Sequence, residues 1–163
     1  MIDFVRIPER RMNILRQDKK IVDEIEKLAD VNIDINEEVS IESDDSIKIM
    51  LAKNVLKAFG RGFEIDDALN LLDDSYSLEI IGIQEFSGKS RTRMTTLKGR
   101  VIGANGKTKR MIEDCAEVKV AIYGKTICII GRWDDVQFAR RAIEMILSGS
   151  LHNTVYRFLQ KGR

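Results

Sequence analysis

Two rhythms of apolar residues alternate along the 163-residue chain. Between Lys107 and Glu117, Ile112, Cys115 and Ala116 share one side of a 3.6-residue repeat, which predicts an amphipathic helix. The period then switches to two. Val118, Val120 and Ile122 alternate with Lys119, Ala121 and Tyr123, the pattern of a half-buried strand. Gly124-Lys125 reads as a turn into a further strand, Thr126 to Ile130. Asp134 or Asp135 is expected to N-cap a last helix that keeps Val136, Ala139, Ile143, Ile146 and Leu147 on one side and stops at Ser148-Gly149. Upstream, Ser77 to Ile83 reads as a strand, followed by a helix that runs into a sharp turn. The expected order is β-α-α-β-β-α, with antiparallel strands and helices laid over one face as a two-layer α+β unit.

The same rhythm occurs earlier. Laying Arg16–Ile35 over Gly103–Ile122, an offset of 87, sets Ile25 on Ile112, Ala29 on Ala116, Val31 on Val118 and Ile33 on Val120. Ile14 and Leu15 then fall on Val101 and Ile102, and Phe4 to Ile7 reads as the first strand of the earlier copy. The apolar skeleton repeats while the surface differs, the mark of a duplication. Between the copies, Ala68, Leu69, Leu71 and Leu72 within Gly60–Asp74 predict a short packing helix. This divides the chain into 1–59, a linking segment 60–76, and 77–163.

Composition narrows the chemistry. No apolar run approaches the ~18 residues of a membrane span, and the N-terminus carries no signal-peptide core, so a soluble, cytoplasmic protein without membrane contact is expected. Cys115 and Cys128 fit no zinc or redox spacing. With His152 as the one histidine and no catalytic constellation, neither a metal, a cofactor nor an enzyme is expected. Tyr123 and Trp133 are read as structural, since so few aromatics line no stacking platform.

Net charge is +1, which hides an asymmetry. Residues 1–77 hold 11 Lys and Arg against 18 Asp and Glu, whereas residues 78–163 hold 16 against 8. No acid falls between Glu85 and Glu113. The second half therefore points to a polyanion and the acidic first half to another kind of partner, unless the halves merely attract each other.

Gly103-Ala104-Asn105-Gly106 sits in the basic stretch, between two helical segments. Glycines there allow a tight turn and close approach of backbone, and the helix beginning after Gly106 offers free N–H groups to phosphate. Lys107, Lys109 and Arg110 open that helix and Glu113, Asp114 and Glu117 close it, an order that opposes the helix dipole and suits a bound anion. A nucleotide-binding P-loop is excluded, because its spacing requires glycine where Val101 stands. The earlier copy has Arg16-Gln17-Asp18-Lys19 at this turn, without glycine, and Asp23 in place of Arg110.

The run Val101–Gly124 resembles the core of a type I KH domain, whose G-x-x-G loop clamps single-stranded RNA. Ala58–Phe63 with Leu71-Leu72, the Gly106–Lys109 run, and the tail Asn153–Leu159 are similar to the tandem-KH proteins of ribosome assembly, the partner-of-NOB (Dim/Pno) family in its archaeal form. The resemblance spans essentially the whole chain. It implies two KH domains packed in tandem with a linking helix and a C-terminal helical extension; the lack of G-x-x-G in the first copy is a departure of this chain from the archaeal pattern. It further implies binding of single-stranded RNA near the 3′ end of small-subunit ribosomal RNA, alongside a PIN-domain endonuclease or another assembly or translation factor met by the acidic half.

On this reading Gly103, Ala104, Asn105 and Gly106 pack against the sugar-phosphate chain, and Arg100, Lys107, Thr108, Lys109 and Arg110 support its charge. Val101 supplies an apolar floor with Ile102, and Lys119 reads bases beside strand-edge backbone groups. The alternative is a protein-interaction scaffold that uses the acidic copy and holds RNA weakly.

Overall fold

The computed structural model describes residues 1–162. The chain divides into two units, Met1–Tyr76 and Ser77–Arg163. In the first, β1 (Ile2–Val5) leads into α1 (Glu9–Gln17) and α2 (Lys19–Ala29). Strands β2 (Asn32–Ile35) and β3 (Val39–Glu42) and helix α3 (Ser46–Gly60) follow. Strand β3 lies between β1 and β2 and is antiparallel to both. The segment after α3, a helical turn α4 (Ile65–Ala68) and a 3-10 turn (Leu69–Leu72), folds back onto α3 and buries Ala68 and Leu71.

The second unit repeats this order. Strand β4 (Tyr76–Gly82) and a short turn α5 (Gln84–Ser87) lead into α6 (Arg91–Ile102) and α7 (Lys107–Ala116). Then come β5 (Lys119–Tyr123), β6 (Thr126–Arg132), α8 (Trp133–Leu147) and an added helix α9 (His152–Lys161). The sheet order is β4-β6-β5, matching β1-β3-β2, and β5 pairs antiparallel with β6. Helices and sheet enclose a core of Ile81, Val101, Ile112, Ile129, Ile143 and their neighbours, to which α9 adds Val155 and Leu159. None of the described helices is long and apolar enough to cross a membrane.

The repeat extends to backbone detail. Asp30 and Glu117, 87 positions apart, end α2 and α7 at φ 56° and 57°, a left-handed turn that carries each chain from helix to strand. Just beyond, the Glu26 carboxylate accepts the Ile33 N–H at 2.9 Å, and that of Glu113 accepts the Val120 N–H at 3.0 Å.

Four expectations need correction. The pairing of Ile14 and Leu15 with Val101 and Ile102 is out by one residue: Leu15 (1% exposed) and Val101 (0%) are the buried pair, Ile14 (37%) and Ile102 (38%) the exposed one. The second unit therefore holds one more residue between Val101 and Ile112 than the first does between Leu15 and Ile25, and the turn absorbs it. Helix α8 starts at Trp133 after an extended Arg132, so Asp134 and Asp135 lie in its first turn, where their charge favours the dipole without capping it. Trp133 is 64% exposed and is no core residue. Finally, Ala121 is buried like its apolar neighbours, so β5 does not alternate cleanly.

Candidate nucleic-acid interface

Helices α6 and α7 meet at the turn, and its backbone shows why glycine stands there. Gly103 has φ 76° and ψ 172°, a region open essentially to glycine alone. A Cβ on Gly103 would lie 2.2 Å from Thr108 Oγ1 and 2.7 Å from the Thr108 nitrogen. Asn105 (φ 56°) and Gly106 (φ 75°) both adopt left-handed backbone, and the Gly106 N–H closes the turn onto the Gly103 carbonyl at 3.2 Å. A Cβ on Gly106 would meet nothing within 4 Å, so glycine is needed there for conformation rather than space.

Helix α7 begins without a side-chain cap. Three other helices are capped by a side chain, among them α3, where Asp45 accepts the Ile47 N–H, and α6, where Ser90 accepts the Arg93 N–H. The contrast with the first unit is most informative. There Asp18 caps the corresponding helix α2 through the Lys20 N–H. In the second unit Ala104, Asn105, Lys107 and Arg110 are exposed, and Gly103, Gly106 and Lys109 are partly so. A bare helix N-terminus and left-handed turn, with three cations in the first helical turn, form a site for an anion.

Strand β5, which follows α7 and contacts it, is an edge strand of its sheet. Because the Val120 N–H bonds to Glu113 rather than to β6, Val120 presents its backbone outward. Alternation gives Ile122 the same orientation, so its N–H and carbonyl are available to a base edge. Exposed Lys119 flanks this edge, and exposed Ile102 supplies apolar surface beside the turn.

Three of the residues read from sequence are placed elsewhere. Val101 is fully buried, so Ile102 and not Val101 is the accessible apolar residue. The four-residue spacing from buried Leu97 to Val101 carries that signal. Arg100 donates to the carbonyls of Ile146 and Ser150, capping the end of α8, and so is withdrawn from a phosphate role. Thr108 is buried, its hydroxyl 2.7 Å from that of Tyr156. Lys98, from the same basic stretch, is bound to the Gly124 carbonyl at 2.7 Å. Sequence reasoning named Ile102 beside Val101 but missed the bond of Glu113 to β5 and the part of Tyr156, the last because its contact spans 48 residues. Among the described residues, no group of three or more His, Cys, Asp or Glu is placed to hold a metal ion.

In the first unit a groove lies at the corresponding place, lined by Leu15, Lys19, Val22, Asp23, Glu26 and Ile33 among others. Its apolar floor persists. Asp23 stands where the second unit has Arg110, and nearby Arg16 is tied to Glu9 and the Asn36 carbonyl.

Residues 77–163 match the profile of the eukaryotic type KH-domain (KH-domain type I). Over 99% of its length the chain is 35% identical to a KH domain-containing protein of Methanocaldococcus jannaschii, of which it covers 74%. It is also 35% identical over 122 residues to the pre-rRNA-processing protein pno1 of Aspergillus fumigatus, covering 72% of this chain but only 47% of that longer protein. Among solved structures, the Dim2p of Pyrococcus horikoshii in a complex with a/eIF2alpha and rRNA superposes with a TM-score of 0.90 at 34% identity, covering 99% of this chain and 93% of that one. The chain belongs to the Pno1/Dim2 family of KH-domain proteins.

Proposed function

We propose that this protein binds single-stranded RNA through the Gly103–Gly106 turn and acts in assembly of the small ribosomal subunit. The observation that carries this reading is the uncapped start of α7 with Lys107, Lys109 and Arg110 around it, set against the self-capped start of α2. Phosphates at the turn satisfy the N–H groups and reverse the dipole cost of those cations. About four unstacked bases then lie between Ile102 and the outer edge of β5, where backbone groups and Lys119 read them. The relatives' names, pre-rRNA processing in one and an rRNA complex in another, support ribosomal RNA as the ligand. A site near the 3′ end of small-subunit rRNA, beside a PIN-domain endonuclease, agrees with that reading.

The first unit we read as a degenerate KH domain that contacts protein instead. Asp18 occupies the helix start that a phosphate would need, and Asp23 lines the groove. The duplicated element order and the matched Glu26 and Glu113 bonds support the KH assignment. An assembly or translation factor with a basic surface is the partner its charge favours.

The test is purification of the full chain with the RNA it retains, followed by sequencing of that RNA and titration with oligoribonucleotides at several salt concentrations. Enrichment of small-subunit rRNA, with affinity that falls as salt rises and without nucleotide turnover, is expected. Recovery of no RNA, together with equal binding of double-stranded competitors, would overturn the reading.

A further inference from the structure

The last helix is bound to both arms of the turn. On the entering arm, His152 Nε2 donates to the Arg100 carbonyl at 2.8 Å, and Arg100 itself reaches back to the carbonyls of Ile146 and Ser150. On the leaving arm, the Tyr156 hydroxyl lies 2.7 Å from Thr108 Oγ1, and Lys107 Nζ sits 5.7 Å from the centre of the Tyr156 ring. The contacts continue inward, since Thr108 is the residue against which the Gly103 backbone packs too closely for any Cβ. Gly103, Thr108 and Tyr156 thus form one continuous stack. Helix α9 is held in place independently of it, through buried Val155 and Leu159 and through Phe158, whose ring stands 5.1 Å from that of Phe138.

We propose that Tyr156 is a positioning residue for the RNA-contacting turn. Its hydroxyl turns the Thr108 side chain inward, and its ring holds Lys107 beside the open N–H groups. A threonine in the first turn of a helix otherwise has nearby backbone groups to bond. Bonded to Tyr156, Thr108 stays clear of the helix start and braces Gly103. A lysine within ~6 Å of an aromatic centroid is favourably placed over the ring. The cation is thereby ordered before RNA arrives, which lowers the entropy lost on binding. The inference rests on the RNA-binding reading above and extends the interface to a helix that need not touch RNA.

The experiment compares the full-length protein with Tyr156→Phe, Tyr156→Leu and Phe158→Leu in binding a single-stranded oligoribonucleotide. Each is titrated across a salt series at a temperature where circular dichroism reports the same folded fraction. Tyr156→Phe is expected to weaken binding about five- to tenfold, as loss of one hydrogen bond predicts, with an unchanged salt slope. Tyr156→Leu should weaken it further and flatten the slope by about 0.7, one ionic contact on a single strand. Phe158→Leu, a packing defect in the same helix, should lower thermal stability and leave affinity within about twofold. The positioning role is overturned if wild type binds RNA while both Tyr156 variants bind within twofold of it, or lose no more affinity than Phe158→Leu. Absence of binding by wild type would instead sink the RNA reading itself.

Discussion

The carboxylate of Glu113 accepts the backbone N–H of Val120 across the join between α7 and β5, and Glu26 does the same for Ile33 in the first unit. One side chain thus ties helix to strand and turns the edge strand's polar backbone outward. In the second unit the helix so tied begins at the basic turn. In the first it is capped and carries Asp23, so the same brace serves a different surface.

Removing either brace should cost similar stability. Glu113→Ala and Glu26→Ala are each expected to lose about 1–2 kcal/mol, the range for a hydrogen bond to a charged group. Urea unfolding monitored in each unit would measure both, and only Glu113→Ala should also lower RNA affinity.

The two glycines of the turn differ in kind. Gly103→Ala sets a methyl 2.2 Å from Thr108 Oγ1 in a glycine-only conformation and should cost more than about 3 kcal/mol. Gly106→Ala meets open space and should cost only about 1–2 kcal/mol, the ordinary left-handed penalty. Thermal unfolding of the two variants separates them.

Charge at the tip should abolish binding without unfolding. Ala104 and Asn105 are both exposed, and aspartate tolerates the left-handed backbone of Asn105. Ala104→Asp combined with Asn105→Asp is expected to leave stability within about 0.5 kcal/mol and to weaken RNA binding severely. Gln17→Asp, at the matching turn of the first unit, should leave affinity unchanged. Filter binding reads both.

Two arginines ten positions apart should behave oppositely. Arg110→Ala, at an exposed site, should reduce the salt slope by about 0.7 with little change in stability. Arg100→Ala removes the cap of α8 and should lower stability by about 1–3 kcal/mol while the slope stays. Salt titration beside denaturation distinguishes them.

Acid should affect the first unit through two carboxyls. Asp3 is held below its usual pKa by the Phe4 N–H and then Lys53, and Asp30 by its hydrogen bond to Lys48. A depressed native pKa supports stability above the unfolded value of ~3.9 and loses that support as pH falls through the native value. Asp30→Asn keeps the left-handed turn and should make unfolding less sensitive to pH between about 5 and 2. The Lys48 pKa is raised by the same pair, so its support is full at neutral pH and fades only as strong alkali is approached.

What the amino-acid order determined by itself was local and periodic. The switch from a 3.6-residue to a two-residue rhythm marked helix and strand in both units. Their repetition marked the duplicated element order, and Gly103–Gly106 stood out as a glycine turn among cations. Tertiary structure decided which side chains of that basic run remain available. Arg100, Lys98 and Thr108 lie in the same run as Lys107 and Arg110, yet their partners come from Ile146, Ser150, Gly124 and Tyr156, up to 50 residues away. Burial likewise chose Ile102 over Val101, because one residue's advance along a helix turns a side chain about 100° from core to groove. Periodicity records which face of an element is apolar; only packing brings to that face the distant carbonyl or hydroxyl that claims a charged group before RNA can.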